Sequence, residues 1–319
     1  MTYTPPSLDQ FLETVWPFDR LSPTALQTLA GKCQQLRYRV GQPILRRESL
    51  PHQVIVILEG QARLLGYDPY TQSPTTLSRL SVGDVLGVAG LVRRRACESA
   101  IASSEVVALT LPATEFQKLL ETQTAFASGA RGRCYLAELF ELLGGYYKQQ
   151  AESIDDLARR VQETIAVGVD VRQVDFGRLD TSPLDPQRTW FISQGKISEY
   201  GVGQILDLKA PRLQVLTSNG ARLVGVPARA LTGTPAAVVP EVVSSGAPSY
   251  DNIPYAADVP ATASFIEEET RGGQPNYPLV RGRGELDAVV SCFEMIAQHL
   301  NMPFKRDVVR RILSSQQER

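Results

Sequence analysis

Hydrophobic positions along the chain change their spacing several times, and the first stretch is helical. From Ser7 to Trp16 and from Ser22 to Cys33, apolar residues recur at the three- to four-residue interval of an amphipathic helix. Ser22 followed by Pro23 is a favourable cap and first turn for the second of these segments. The spacing therefore predicts two short helices at the start of the chain.

Short apolar runs with the period of β-strands follow between Gln35 and Thr110. Glycines separate these runs at fairly even intervals, a pattern typical of a small barrel or jelly roll. A helix is predicted afterwards, from Ala113 to about Leu120. The predicted strands are Leu36–Tyr38, Val54–Leu58, Ala62–Leu65, Thr76–Leu80 and Val106–Leu111.

Helical spacing returns from Gly132 to Ala166, in two apolar stripes separated by a predicted break at Gly144-Gly145. Two surface helices that pack on the barrel would account for the stripes. A single dimerising helix is the other interpretation, although the glycine pair would weaken a continuous coiled coil. The stripes consist of Tyr135, Leu136, Leu139, Phe140 and Leu143, and of Ile154, Leu157, Val161 and Ile165.

An internal repeat comes next. The segment PHQVIVILEG at residues 51–60 is echoed by PQRTWFISQG at residues 186–195. Residues 107–112 likewise resemble residues 222–227, at a shorter offset, so the second copy is shortened. We predict a second, reduced β module over residues 170–232. It is expected to be structural, because Arg212 is its only candidate ligand residue between Gly203 and Leu216.

The rest of the chain divides into a linker and a helical end. Residues 233–284 are rich in proline and are predicted to form an extended linker. Helical spacing reappears at Glu285–Leu300 and at Arg306–Gln316. The predicted fold class is mainly β with helices (α+β), in five parts: residues 1–125, 126–169, 170–232, 233–284 and 285–319.

Composition narrows the classes of protein that fit. Hydrophobic residues make up 43% and charged residues 21%, values of an ordinary globular chain with a sizeable core. The 33 Lys and Arg nearly balance the 34 Asp and Glu, so no basic excess suggests a nucleic-acid partner. The four cysteines are far apart and there are two histidines, which argues against a zinc site. We expect a reduced cytoplasmic protein without a signal peptide or a membrane-spanning helix.

The stretch 38–121 resembles the cyclic nucleotide-binding domain of bacterial catabolite-activator regulators, cyclic-nucleotide-dependent kinases and gated channels. The resemblance rests on Gly41-x-x-Ile44, on the hairpin PHQVIVILEGQARLLG and on LSVGDVLGVAGL, which is similar to the loop before a phosphate-binding cassette. It covers about 85 residues. The resemblance implies a β jelly-roll barrel, with cyclic AMP or cyclic GMP as the ligand to test.

The resemblance also implies which residues would touch that ligand. In the family, a Gly-Glu pair begins the cassette and its Glu binds the ribose 2′-hydroxyl. An Arg-Ala pair clamps the phosphate, and backbone N–H groups of a short helix point at it. Gly87 matches the Gly and Arg95-Ala96 match the Arg-Ala, whereas Val88 stands at the Glu position. The candidate ligand-binding residues are Gly87, Val88, Ala89, Arg95, Ala96 and Cys97.

Val88 is the departure from the family pattern, because its side chain accepts no hydrogen bond. Loss of a charged partner for a buried hydroxyl typically costs roughly 1.5–3 kcal/mol. Arg93 and Arg94 would add attraction for an anion. Three interpretations stay open: a site for a cyclic nucleotide, a site for another anion, and a ligand-free barrel with residues 93–95 in a solvated loop. Cys97 is expected to be a small apolar strand residue.

The segment 281–311 resembles the start of the bacteriocin-processing cysteine peptidase domain, which stands at the N-terminus of certain bacterial ABC exporters. Residues 291–295, SCFEM, match the family's Ala-Cys-Leu-x-Met. In that register Ala288 falls on the catalytic cysteine and Gly282 on the oxyanion-hole glutamine. Peptidase activity needs an activated thiolate, so the resemblance implies a degenerate, non-catalytic domain.

Together these resemblances predict the cytosolic N-terminal regulatory region of a peptidase-domain-type ABC exporter. In this hypothesis the first barrel binds a cyclic nucleotide or similar anion through Arg95 and the 87–91 loop, and no part of the region is an enzyme. The alternative is a ligand-free scaffold that docks partner or cargo proteins to the transporter. A transcription regulator is disfavoured, because a β module stands where its helix-turn-helix would be. The predicted partners are the small anion, the transporter and a second copy of the chain in a homodimer.

Overall fold

The computed structural model describes residues 7–151, 156–210 and 212–232, together with the single positions 256, 291 and 294. The chain divides into two compact units, Met1–Pro260 and Ala261–Arg319. The described elements all belong to the first unit, apart from the two helical positions 291 and 294. The predicted linker at 233–284 and the predicted helices at 285–319 therefore lie almost wholly outside the described residues.

Two short helices open the described chain, as the hydrophobic spacing predicts. Helix α1 spans Leu8–Glu13, a 3-10 turn spans Phe18–Arg20, and α2 spans Pro23–Ala30. Ser22 caps α2, because its side-chain hydroxyl accepts a hydrogen bond from the Ala25 N–H at 3.3 Å.

Eight strands form the barrel in two antiparallel sheets, with the orders β1-β8-β3-β6 and β2-β7-β4-β5. The five strands predicted from sequence are all present. Three others, β2, β6 and β7, were missed because they have only two to four residues. The strands are β1 (Gln34–Tyr38), β2 (Pro43–Leu45), β3 (Gln53–Glu59), β4 (Ala62–Tyr67), β5 (Pro74–Leu80), β6 (Val85–Leu86), β7 (Ser99–Ala102) and β8 (Val106–Pro112).

Five helices accompany the barrel. They are α3 (Val88–Arg93), α4 (Ala113–Thr122), α5 (Thr124–Gly132), α6 (Leu136–Gln149) and α7 (Leu157–Val167). The predicted break at Gly144-Gly145 is wrong, because α6 continues through both glycines. Gly144 is buried in the fold, where an added Cβ would lie 3.3 Å from Leu157 of α7, so this glycine allows close packing of the two helices.

A second group of strands follows α7, in the place where the repeat predicts a β module. It contains β9 (Asp170–Val174), β10 (Gly177–Arg178), β11 (Arg188–Gln194), β12 (Gln214–Val215), β13 (Ala221–Pro227) and the short helix α8 (Ala228–Thr232). Its sheets have the orders β11-β13-β9 and β10-β12, all antiparallel. That this module is a reduced copy of the first barrel stays a prediction.

The hydrophobic core joins the second strand group to the barrel. Phe191 of β11 and Val224 of β13 are fully buried in the same cluster as Leu139 and Leu143 of α6. That cluster also contains barrel residues such as Leu64 and Leu86. Helix α6 therefore lies between the two groups of strands and is buried by both.

Candidate ligand site

The candidate site begins where β6 ends and α3 starts. Gly87 joins the two elements with φ +88°, a left-handed conformation that side chains disfavour. An added Cβ would also lie 2.8 Å from the carbonyl oxygen of Gln53 on β3. Glycine is therefore required here on two counts, and it lets the first turn of α3 come close to the barrel wall.

A carboxylate already occupies the amide groups of this turn. The N–H of Gly90 donates a hydrogen bond to Glu98 Oε2 at 3.2 Å, and the backbone amides of Gly87 and Ala89 also stabilise the ionised form of Glu98. Glu98 is buried, with 7% of its surface exposed. Burial raises the pKa of its carboxyl to about 7, although the three amides and the nearby Arg93 oppose that rise.

The residues predicted from sequence divide into two groups. Gly87, Val88 and Ala89 do form the turn, and the side chain of Val88 is buried in the core beside Val54. Arg95 points elsewhere, since its side chain is half exposed and its Nε donates to Glu141 Oε1 on α6 at 3.0 Å. Its role as an anion clamp stays a prediction.

Ala96 and Cys97 lie between Arg95 and Glu98 and are partly buried. Burial raises the pKa of the Cys97 thiol to about 12, so the thiol is protonated at neutral pH. The expected strand position is wrong, because Cys97 lies two residues before β7 begins at Ser99.

Arg93, the last residue of α3, is not part of a solvated loop. Its guanidinium is fully buried, and Nη1 donates to Glu141 Oε2 at 2.8 Å. Nε donates to the Ser193 hydroxyl on β11 at 2.8 Å, and Nη2 donates to the Ser193 carbonyl at 3.2 Å. These contacts engage the guanidinium, so the expectation that Arg93 attracts an anion is wrong. It connects the end of α3 to α6 and to the second strand group.

A second buried arginine completes this arrangement. Arg222 of β13 donates from Nε to Glu138 Oε1 at 2.7 Å and from Nη2 to Glu138 Oε2 at 2.9 Å. The Ser193 hydroxyl also donates to Glu138, and neither Glu138 nor Arg222 is exposed. Burial alone would raise the pKa of Glu138, but Arg222 and Arg93 hold it below its usual value. We call Arg93, Glu138, Glu141, Ser193 and Arg222 the buried ionic cluster.

A cavity of about 450 Å³ lies beside Glu98, between strands of the barrel and the helices α6 and α7. Small-molecule sites usually have volumes of roughly 300–1,000 Å³. Strands β4, β5 and β6 supply one side of it, residues 133–137 at the start of α6 supply another, and α7 contributes Gln162 and Ile165. Its charged lining residues are Asp84, Glu98 and Arg133.

Two of those charged groups already have protein partners. Asp84 Oδ2 accepts a hydrogen bond from the Ser81 N–H at 2.7 Å. The guanidinium of Arg133 lies 4.5 Å from the centre of the Trp16 ring, within the range of a cation–π contact.

In the part of the chain that the structure describes, no group of three or more His, Cys, Asp or Glu could hold a metal ion. No helix among those residues is long and apolar enough to cross a membrane.

Comparison with known proteins agrees with this geometry. Residues 35–123 match the family "Cyclic nucleotide-binding domain", and the antiparallel barrel around them has the corresponding fold. Residues 35–123 therefore form a cyclic nucleotide-binding-like domain. No protein of curated function matches the sequence significantly.

Several solved structures are similar to this chain. A regulatory subunit of a cAMP-independent protein kinase A from Trypanosoma cruzi, bound to guanosine, is 21% identical with a TM-score of 0.34. The match covers 37% of this chain and 41% of that subunit, so this chain spans less than half of its length. A cyclic nucleotide-binding-like protein from Brucella abortus is 22% identical over 36% of this chain and 99% of its own, with a TM-score of 0.32. The regulatory domain of Toxoplasma gondii PKA with cAMP is 10% identical over 70% of this chain and 92% of its own, with a TM-score of 0.35.

Sequence reasoning missed Glu98 and the buried ionic cluster. Glu98 stands just before β7, a strand too short to be recognised, so its inward direction had no signal. Glu138 stands in the apolar stripe of α6 between Leu136 and Leu139, and a charged residue at such a position is a usable sign of a buried ion pair. Its partners in β11 and β13 are too distant in sequence for any pattern to connect them.

Proposed function

We propose that residues 7–232 form a regulatory sensor region, in which occupancy of the cavity beside Glu98 is conveyed through α6 to the second strand group. The single observation that carries this proposal is the position of α6. Its first turn lines the cavity, and the same helix supplies Glu138 and Glu141 to the buried ionic cluster. A ligand that displaces the start of α6 must therefore disturb contacts with β11 and β13.

The cassette helix gives the site a second connection to the same cluster. Arg93 ends α3, and its guanidinium contacts both Glu141 and Ser193. A ligand that alters the turn at Gly87 would move the same helix that holds this arginine. Coupling of this kind requires the ligand to bind two conformations of the protein with different affinities.

The ligand proposed from the family resemblance is cyclic AMP, cyclic GMP or a similar anion, bound at the 87–91 loop. For Arg95 to take part, its guanidinium would have to leave Glu141, which lies 2.8 Å from its Nη2. Because that pair is partly exposed, the cost of exchanging partners is small. Attachment to an ABC exporter, with a second copy or cargo as partner, stays a prediction from residues outside the described ranges.

Calorimetric titration of the full chain with cyclic AMP, cyclic GMP, adenosine and guanosine tests the sensor function. We expect saturable binding of at least one of them. Ala137→Phe places a ring in the cavity and should abolish that binding, whereas Ala125→Phe on the exposed face of α5 should not. Thermal melting of both variants identifies a loss that comes from unfolding.

The alternative is a ligand-free scaffold, and one observation favours it. Val88 stands at the position of the family's ribose-binding Glu, and its side chain is buried in the core away from solvent. Absence of binding for all four compounds at millimolar concentration would support the scaffold and refute the sensor.

A further inference from the structure

The amide groups at the start of α3 have an occupant from the chain itself. The family resemblance implies that these amides would face the phosphate of a ligand, since backbone N–H groups at such a turn favour an anion. Here Glu98 Oε2 accepts the hydrogen bond of Gly90 at 3.2 Å, and Gly87 and Ala89 stabilise the same carboxylate. The negative group that the turn requires is therefore supplied internally.

A phosphate in the same place would meet two obstacles. The first is steric, because the Glu98 carboxyl fills the turn and is itself buried. The second is electrostatic, because two like charges a few ångströms apart repel strongly in a buried site. Arg93 already stabilises the Glu98 carboxylate, and its guanidinium is bonded to Glu141 and Ser193 through all three nitrogens, so it offers little to a second anion.

The cavity beside Glu98 nonetheless has the properties of a ligand site. Its volume is about 450 Å³, and leucine and isoleucine side chains make up much of its wall: Leu64, Leu80, Leu86, Leu136 and Ile165. Such walls suit a flat ring system, and the Glu98 carboxyl at one end suits the hydroxyl or amino groups of that molecule.

We infer that this cavity takes an uncharged, ring-bearing ligand with hydroxyl or amino donors, of the nucleoside type, and that Glu98 stands in place of the phosphate of a cyclic nucleotide. This inference rests on the proposed sensor function and replaces the anionic ligand named there with an uncharged one. It reverses the preference expected from the family resemblance, since the cyclic phosphate becomes the group that the site rejects.

The test compares adenosine and guanosine with cyclic AMP and cyclic GMP, by calorimetry on the full chain at pH 8, where Glu98 is ionised. The wild type should bind a nucleoside at least tenfold more tightly than its cyclic nucleotide. Glu98→Gln keeps the size of the side chain and should weaken nucleoside binding by about tenfold, since a charged acceptor is replaced by a neutral one. Glu98→Ala empties the turn and should raise affinity for the cyclic nucleotide relative to the nucleoside.

Each outcome separates the two proposals. Tighter binding of the cyclic nucleotide by the wild type would overturn the inference and leave the sensor function standing. A folded Glu98→Ala variant with the ligand preference of the wild type would also overturn the inference. If that variant does not fold, the comparison of the four compounds on the wild type tests the inference alone. Absence of binding for all four compounds would refute the sensor function itself.

Discussion

Removal of the charge of Glu138 should destabilise the barrel and the second strand group together. Glu138 is fully buried and makes two hydrogen bonds to Arg222, at 2.7 and 2.9 Å, while Arg93 Nε lies 3.7 Å away. Glu138→Gln keeps the volume but leaves two buried guanidinium groups with less compensation. Breaking a buried ion pair in this way typically costs about 3–5 kcal/mol.

Urea unfolding followed by fluorescence measures this loss in each part of the fold. The chain has two tryptophans. Trp16 packs beside the barrel core and Trp190 is buried in the second strand group, so single-tryptophan variants report on the two parts separately. With an m-value of about 2 kcal/mol/M, a loss of about 3 kcal/mol lowers the midpoint by about 1.5 M in both reports.

The control is Glu163→Gln on α7, which removes a partly exposed pair with Arg159. Such a pair is worth about 0.3–0.5 kcal/mol. If Glu138→Gln lost no more stability than Glu163→Gln, the buried ionic cluster would not hold the two parts together. A midpoint shift seen by only one tryptophan would contradict the coupling through α6.

Two further predictions concern packing and pH. Gly66→Ala on β4 should lower the free energy of unfolding by about 1–3 kcal/mol, because the new Cβ would lie 2.7 Å from the Phe140 ring. Gly145→Ala on α6 meets nothing within 4 Å and should raise it by about 0.5–1 kcal/mol, as measured by thermal or urea unfolding. Burial raises the pKa of Glu98 to about 7, so the folded state binds its proton more tightly than the unfolded state does. This tighter proton binding stabilises the folded state in full below pH 4.5, and the stabilisation is lost as the pH rises to about 7. The free energy of unfolding should therefore fall by about 3 kcal/mol over this range, and Glu98→Gln should not show that fall.

The pattern of apolar residues predicted the barrel well, and physical reasons explain what it missed. Long strands such as β3 have enough residues to establish a period, whereas β6 has two and shows none. The break at Gly144-Gly145 followed helix propensity, which costs only about 1 kcal/mol per glycine and is outweighed here by packing of α6 against α7.

Gly87, Val88 and Ala89 lie at the turn where α3 begins, and their role in binding a ligand stays a prediction. Gly87 was recognised because it matches the glycine of the family's cassette, and the structure gives it a positive φ. Glu98 and Arg93 are charged residues that solvent-exposed loops also contain, and only the fold shows that both are buried. Their meaning depends on Ser193 and Glu138, which tertiary structure alone brings to them.

The most direct test of the account is a carbon-13 NMR titration of the Glu98 carboxyl, assigned by comparison with Glu98→Gln. This carboxyl lies against the turn of α3, where burial raises its pKa to about 7. A titration midpoint near 7, moving when a nucleoside is added, would support Glu98 as the internal substitute for a ligand phosphate. A midpoint near 4.5 that no nucleoside alters would show an exposed carboxyl and contradict the claim.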